Sequence, residues 1–241
     1  MPSKTTYETF VQKKILAVIT ARGGSKRIPR KNLRKLAGRP LIYYPVQAAL
    51  RSKLVDRVIV STDDVEIAKV AKKIGAEIPF IRPGHLATDL AKSVPVVQHA
   101  VRFLKEKHNY HPAIVALLQP TNPFLSGEDI DEAIKILIKS KADSCISVSP
   151  VSERPEWMYT IKHGRLMPHN DSWNITQRSQ DLPDVFRLNG ALYVVKTEVL
   201  MNKNTLNPPR GAAMIMPRER SIDIDNLIDF KIAEALMKNN N

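Results

Sequence analysis

The sequence predicts an α/β fold: a doubly wound, mostly parallel sheet with helices on both faces. Two observations carry that expectation. Six short, β-branched-rich apolar runs lack the alternation of a half-exposed strand, so they read as strands buried on both faces. Between them fall amphipathic stretches of helical period with recognisable start and stop residues.

The apolar runs are ILAVIT (15–20), RVIVST (57–62), AIVALLQ (113–119), SCISVS (144–149), ALYVV (191–195) and AAMIMP (212–217). The first helical stretch, PLIYYPVQAALRSK (40–53), has proline near its start, where a missing N–H costs little. DVEIAKVAKKIG (64–75) opens acidic, ends basic and stops at Gly75. SVPVVQHAVRFLKEK (93–107) follows, then SGEDIDEAIKILIKS (126–140) with Ser126 as its N-cap, and NLIDFKIAEALMKN (226–239) closes the chain. The alternation breaks over residues 150–187, which hold Pro150, Pro155, Pro168 and Pro183 and both tryptophans, Trp157 and Trp173. A stretch of that length and composition inside a compact domain suits a lid or an interface.

At 241 residues, with 43% hydrophobic and 25% charged positions, the chain reads as an ordinary soluble protein, one domain over residues 1–241 with 150–187 inserted. No apolar run nears the roughly 20 residues of a membrane helix. The first residues have no apolar signal core, and Cys145 alone forms no internal disulfide, so a cytoplasmic protein is expected and the sequon at Asn174 is idle. The net charge of +13 is unevenly placed: residues 9–55 carry 12 Lys and Arg and no acid, while the rest is nearly balanced. Such a field attracts a phosphate-rich small molecule, a nucleic acid or an acidic membrane surface.

Four stretches carry chemistry. ARGGSKRIPRKN (21–32) leaves the first strand at the edge where open α/β sheets bind ligands. The amides of Gly23, Gly24 and Ser25 can approach phosphate oxygens, and Arg22, Lys26 and Lys31 can neutralise them; a solvated basic loop is the bland alternative. In SIDIDN (221–226) an extended backbone points Asp223 and Asp225 one way and Ile222 and Ile224 toward the core. Two such carboxylates can share a hard cation, Mg²⁺ or its substitute Mn²⁺, whose other positions go to water and phosphate; the alternative is an acid pair capping the next helix. LLQPTNPF (117–124) leaves Gln119 at the same sheet edge, and QRSQDLPDVFRLNGALYVV (177–195) offers Arg187 and Asn189 to a carboxylated, polyhydroxylated ligand. HNYH (108–111) reads as a solvated turn and Cys145 as a packing residue.

Together these motifs resemble the acylneuraminate cytidylyltransferases, the CMP-sialic acid synthetases and their relatives acting on legionaminic-type nonulosonates. ARGGSKRIPRKN, VSTDD (60–64), RPGHLATD (82–89), LLQPTNP (117–123), QDLP with NGALY (180–193) and SIDID (221–225) keep the family's order over about 220 residues. The resemblance implies a Rossmann-like domain with a protruding segment, here 150–187, exchanged across a homodimer. It implies that Arg22, Ser25, Lys26, Lys31 and Asn32 hold CTP and that Arg82 and Asp89 border the cytidine. It further implies that Gln119, Arg187, Asn189 and Tyr193 line the sugar-acid site, with Arg178 and Gln180 nearby, and that Asp223 and Asp225 take Mg²⁺. Ser179 stands where sialate enzymes often carry arginine, with Arg178 one residue upstream.

The expected reaction is attack of the anomeric hydroxyl of a nine-carbon 2-keto sugar acid on the α-phosphorus of CTP, with pyrophosphate leaving. Arg22, Lys26 and Lys31 would stabilise the departing charge, and Asp225 or a metal-bound water are the two candidates for the proton. A KDO cytidylyltransferase or another sugar nucleotidyltransferase is the enzymic rival. A basic nucleic-acid-binding protein is the rival of another class, although the chain has no recognition helix or stacking-aromatic pattern.

Overall fold

The computed structural model describes residues 14–169 and 182–239. Ten strands are present among them: β1 (Ile15–Thr20), β2 (Lys35–Leu36), β3 (Arg39–Pro40), β4 (Arg57–Ser61), β5 (Ile114–Leu118), β6 (Ser144–Pro150), β7 (Tyr159–Lys162), β8 (Arg165–Pro168), β9 (Phe186–Lys196) and β10 (Gly211–Ile215). Six of these form the central sheet, in the order β10-β6-β9-β5-β1-β4. The helices are α1 (Tyr43–Arg51), α2 (Val65–Ile74), α3 (Ser93–His108), α4 (Gly127–Lys139), α5 (Thr197–Lys203) and α6 (Leu227–Asn239).

Alternate residues of β1 explain the layers. Ala17 and Ile19 face a core shared with α1, α2 and α4, while Leu16 and Val18 face one shared with α3 and α5. Both sets are fully buried, as an unbroken apolar run in a central parallel strand requires. From β1 the chain crosses to β4 on one side and then to β5 on the other, both parallel to β1. That reversal makes the carboxyl ends of β1 and β5 the topological switch point, where open sheets leave a crevice for ligands.

β6 and β10 also pair in parallel, but β9 runs antiparallel between β5 and β6. Its register against β6 shifts between Ile146 and Val148, and Gly190 takes a φ of 72° within β9. Ser126 caps α4 in a reciprocal box with Asp129, and Gly75 ends α2 at a φ of 111°. Pro40 belongs to β3 rather than to the first turn of a helix, which begins at Tyr43.

The stretch 150–187 is bounded by the end of β6 and the start of β9. Its described part contains an antiparallel hairpin, β7–β8, turning at His163 and Gly164, both with positive φ. Trp157, Ile161 and Leu166 are exposed there. No described helix is long and apolar enough to cross a membrane.

Candidate active site

A cleft of about 500 Å³ opens at the switch point. Thr20 and Arg22 line it from the end of β1, Gln119 and Thr121 from the end of β5, and Lys31 and Asp225 from opposite ends of the sequence.

The basic loop is held in shape from below. Ala21 N–H donates to Ser61 O at the end of β4, and Gly23 N–H donates to Asp63 Oδ1 at 3.0 Å. Asn32, 5% exposed, donates its amide to Arg22 O at 2.9 Å. Ile28 anchors the loop's far side in an apolar cluster with Leu36, Leu41, Ile224 and Phe230. That cluster brings the two ends of the chain together: Ile224 is the buried residue between the two aspartates, so anchoring it beside Ile28 sets the acids against the loop. A Cβ at position 23 would stand 2.8 Å from Asp64 Oδ2, so any residue but glycine requires the loop or Asp64 to shift.

The loop's amides depart from expectation. Gly23 donates to Asp63 and Ser25 N–H donates to Gly23 O, so two of the three amides assigned to phosphate are already engaged. Gly24 remains exposed with open space around its α-carbon. Cationic side chains therefore carry more of the anion-binding capacity than the backbone does. Arg22 Nη1 lies 2.7 Å from Asp89 Oδ1, and Lys26 Nζ lies 2.5 Å from Asp89 Oδ2. The hydrogen bond from Lys26, with help from Arg22, holds the Asp89 carboxyl below its ordinary range. Asp89 thus serves as counter-ion to Arg22 and Lys26 within the cleft it lines.

Arg82 is 5% exposed; its Nε donates to Ser61 Oγ at 3.0 Å and its Nη2 to Ser61 O. Burial pulls its pKa down to about 10, with Asp63 opposing. Lys31 reaches furthest inward. Its Nζ donates to Ile224 O at 2.8 Å and lies 3.6 Å from Asp225 Oδ1. Burial lowers its pKa, against the pull of Asp225 and Asp223.

Asp225 is exposed and also accepts from Arg27 Nη1 at 3.2 Å. Asp223 stands deeper, against Gly190, with Oδ2 3.2 Å from where a Cβ would be. Burial raises its pKa, Asp225 adds to that, and Thr121, Lys31 and Arg187 offset part of it. Its Oδ1 is buried with no hydrogen-bond partner. The helix-capping alternative for this acid pair fails, because Asn226 Oδ1 accepts from the Ile228 and Asp229 amides and so caps α6 itself.

The four expected sugar-acid residues separate. Gln119 lines the cleft, and Tyr193 is half-buried near Asp223, with burial raising its pKa. Arg187 is exposed and belongs to a second cleft with Ser152, Arg218 and Ile222, its Nη2 donating to Ser221 O at 3.3 Å. Asn189 is a correction: it is 1% exposed, and its amide oxygen and nitrogen are both bonded within the protein. A side chain so enclosed does not face a ligand. Arg178 and Gln180 lie outside the described residues.

Asp63, Asp64, Arg27 and Thr121 were not assigned roles by sequence. STDD follows the strand beside β1 directly, and that placement at the same sheet edge is the signal that locates the two acids. Among the described residues no cluster of three or more His, Cys, Asp or Glu side chains is arranged to hold a metal by itself.

The family model described as cytidylyltransferase matches residues 16–217. A CMP-N,N'-diacetyllegionaminic acid synthase of Legionella pneumophila is 37% identical, over 94% of this chain and 97% of that protein. A pseudaminic acid cytidylyltransferase of Campylobacter jejuni is 34% identical, over 94% of this chain and 97% of that protein. An N-acylneuraminate cytidylyltransferase of Escherichia coli is 30% identical, over 95% of this chain and 53% of that protein. Among solved structures, a CMP:2-keto-3-deoxy-manno-octonic acid synthetase complexed with CTP has a TM-score of 0.71 at 17% identity, covering 95% of this chain and all of that one, a likeness of fold. With the family match spanning most of the chain and the basic loop meeting Asp225 in the cleft at the switch point, this protein belongs to the cytidylyltransferase family and is a nucleotidyltransferase.

Proposed function

We propose that the protein transfers CMP from CTP to the anomeric hydroxyl of a nine-carbon 2-keto sugar acid, releasing pyrophosphate. One observation carries this reading: Lys31, from the basic loop, bonds to Ile224 O between Asp223 and Asp225, so cationic and acidic ends share one cleft. The names of the relatives, which cover legionaminic, pseudaminic and neuraminic acids, support the nonulosonate substrate class.

In this mechanism Arg22 and Lys26 exchange Asp89 for the β- and γ-phosphates, replacing one exposed carboxylate with a more highly charged anion. The sugar hydroxyl oxygen forms its bond to the α-phosphorus as the bond to pyrophosphate breaks, and the hydroxyl proton passes to the exposed carboxylate of Asp225. Arg22, Lys26 and Lys31 offset the charge that grows on the leaving group. The buried core that anchors Ile28 and Ile224 holds the basic loop and the acid pair in fixed relation, which limits the orientational freedom of groups bound between them. Asp223 and Asp225 fit a hard cation: one offers a buried oxygen without a partner, the other an exposed carboxylate beside the phosphate loop. Mg²⁺ bound there would supply Lewis-acid stabilisation of phosphate oxygens. The exposed Ile161 and Leu166 of the β7–β8 hairpin support a second reading, that this segment docks on another copy of the chain.

The test is pyrophosphate release from CTP against N-acetylneuraminate, legionaminate, pseudaminate and KDO. Release with one or more nine-carbon acids and none with KDO is expected. Release with KDO alone, or with CTP and no acid, contradicts the reading.

A further inference from the structure

We propose that Asn189 is a positioning residue that sets the Asp223 carboxylate through Ser221. The inference rests on the reading that Asp223 helps hold a cation beside CTP. Asn189 sits where β9 shifts register against β6 and is enclosed on every side. Its Oδ1 accepts from Ser147 Oγ at 2.6 Å and from Ala191 N–H at 3.2 Å. Its Nδ2 donates to Ser221 Oγ at 3.0 Å and to Met216 Sδ at 3.2 Å. Ser221 Oγ in turn donates to Pro217 O at 2.8 Å, and both serines are fully buried.

This chain of bonds ends two residues before Asp223. On the other side, Ile224 N–H donates to Thr121 O at 2.8 Å, so Asp223 is suspended between two fixed points. The residue after Asn189 completes the seat. Gly190 adopts a φ of 72°, and its missing side chain leaves the space into which Asp223 Oδ2 fits. Arg187, two residues earlier, holds Ser221 O. Residues 187–190 therefore grip residues 221–223 at three places, and the unpartnered Asp223 Oδ1 is aimed by that grip. Partners that orient a metal-binding side chain typically change affinity or activity by 10- to 100-fold.

The test uses Ser221→Ala and Asn189→Ala in the full chain. Affinity for the Mn²⁺–CTP complex is read by enhancement of water proton relaxation without sugar acid, and kcat and KM are measured with it. Both variants are expected to weaken Mn²⁺–CTP binding and lower kcat by about 10-fold or more while KM for the sugar acid stays within about twofold. Should Ser221→Ala not fold, Ser147→Ala breaks the same chain at its far end and is expected to give the same pattern. A raised KM for the sugar acid at unchanged kcat would show that Asn189 meets the substrate and overturn the proposal. Unchanged Mn²⁺–CTP affinity in the variants overturns it alone. No relaxation enhancement in the wild-type protein overturns the cation reading and the proposal with it.

Discussion

Replacing Gly23 with alanine tests how the basic loop is supported. The new Cβ would stand 2.8 Å from Asp64 Oδ2 and 3.0 Å from Asp64 Cβ. Carbon atoms settle at about 3.5–4.0 Å, so either the loop or the start of α2 must retreat by roughly 0.5–1 Å. Asp64 is not free to swing away, because its Oδ1 accepts from the Glu66 and Ile67 amides at 2.8 and 3.0 Å as the cap of α2. If the cap yields, the cost is about 0.5–2 kcal/mol. In a chain of this length that lowers Tm by roughly 1–8 °C. If the loop yields instead, Arg22 and Lys26 move by a similar distance, and a 1 Å misplacement costs up to about 100-fold in rate. The variant is therefore expected to lose at least one of the two: thermal stability in a melting scan, or kcat/KM for CTP in a pyrophosphate-release assay. Wild-type values of both would refute the account of the Gly23–Asp64 contact.

Lys31→Met should lower kcat by about 10²–10³-fold if its ammonium stabilises leaving-group charge; a near-normal rate would remove it from the mechanism. Because burial lowers the Lys31 pKa, the unfolded chain binds more protons between the lowered and ordinary lysine values. Wild-type stability then gains from rising alkaline pH in that window, and the Met variant, lacking that gain, should lose ground to it there in melting scans. Asp223→Asn should abolish turnover yet leave the protein as stable or more stable at neutral pH. The raised pKa of Asp223 means that its favourable share is present in acid and lost as pH rises through that value. A neutral-pH melting temperature below wild type would contradict this. Asp89→Asn should free Arg22 and Lys26 and lower KM for CTP by roughly 2- to 10-fold, the worth of one or two exposed ion pairs. A raised KM would instead make Asp89 a nucleotide contact.

The parallel strands were legible because an apolar run with no alternation has few alternatives to burial on both faces, and ILAVIT coincides with β1 at both ends. Helix ends were legible where side chains specify them, as at Asp64, Gly75 and Ser126. The direction of β9 was not, since ALYVV is equally apolar in either orientation and chain path decides the pairing. The β7–β8 hairpin was missed although His163–Gly164 marks a tight turn, because its strands are too exposed to give an apolar period. The basic loop and acid pair were visible as charge against apolar surroundings. Asn189 was misread because a buried amide that braces backbone and one that meets a ligand look alike in sequence; only the bonds to Ser147 and Ser221 separate them. The ion pairs of Asp89 with Arg22 and Lys26 were not legible either, since nothing local in RPGHLATD shows that it faces them.

The most direct measurement is a crystal structure of the protein with CTP and Mn²⁺, the metal located by its anomalous scattering. The account predicts a triphosphate against Arg22, Lys26 and Lys31 at the ends of β1 and β5, with Mn²⁺ between it and Asp223 and Asp225. CTP bound away from that cleft, or a metal remote from both aspartates, would contradict it.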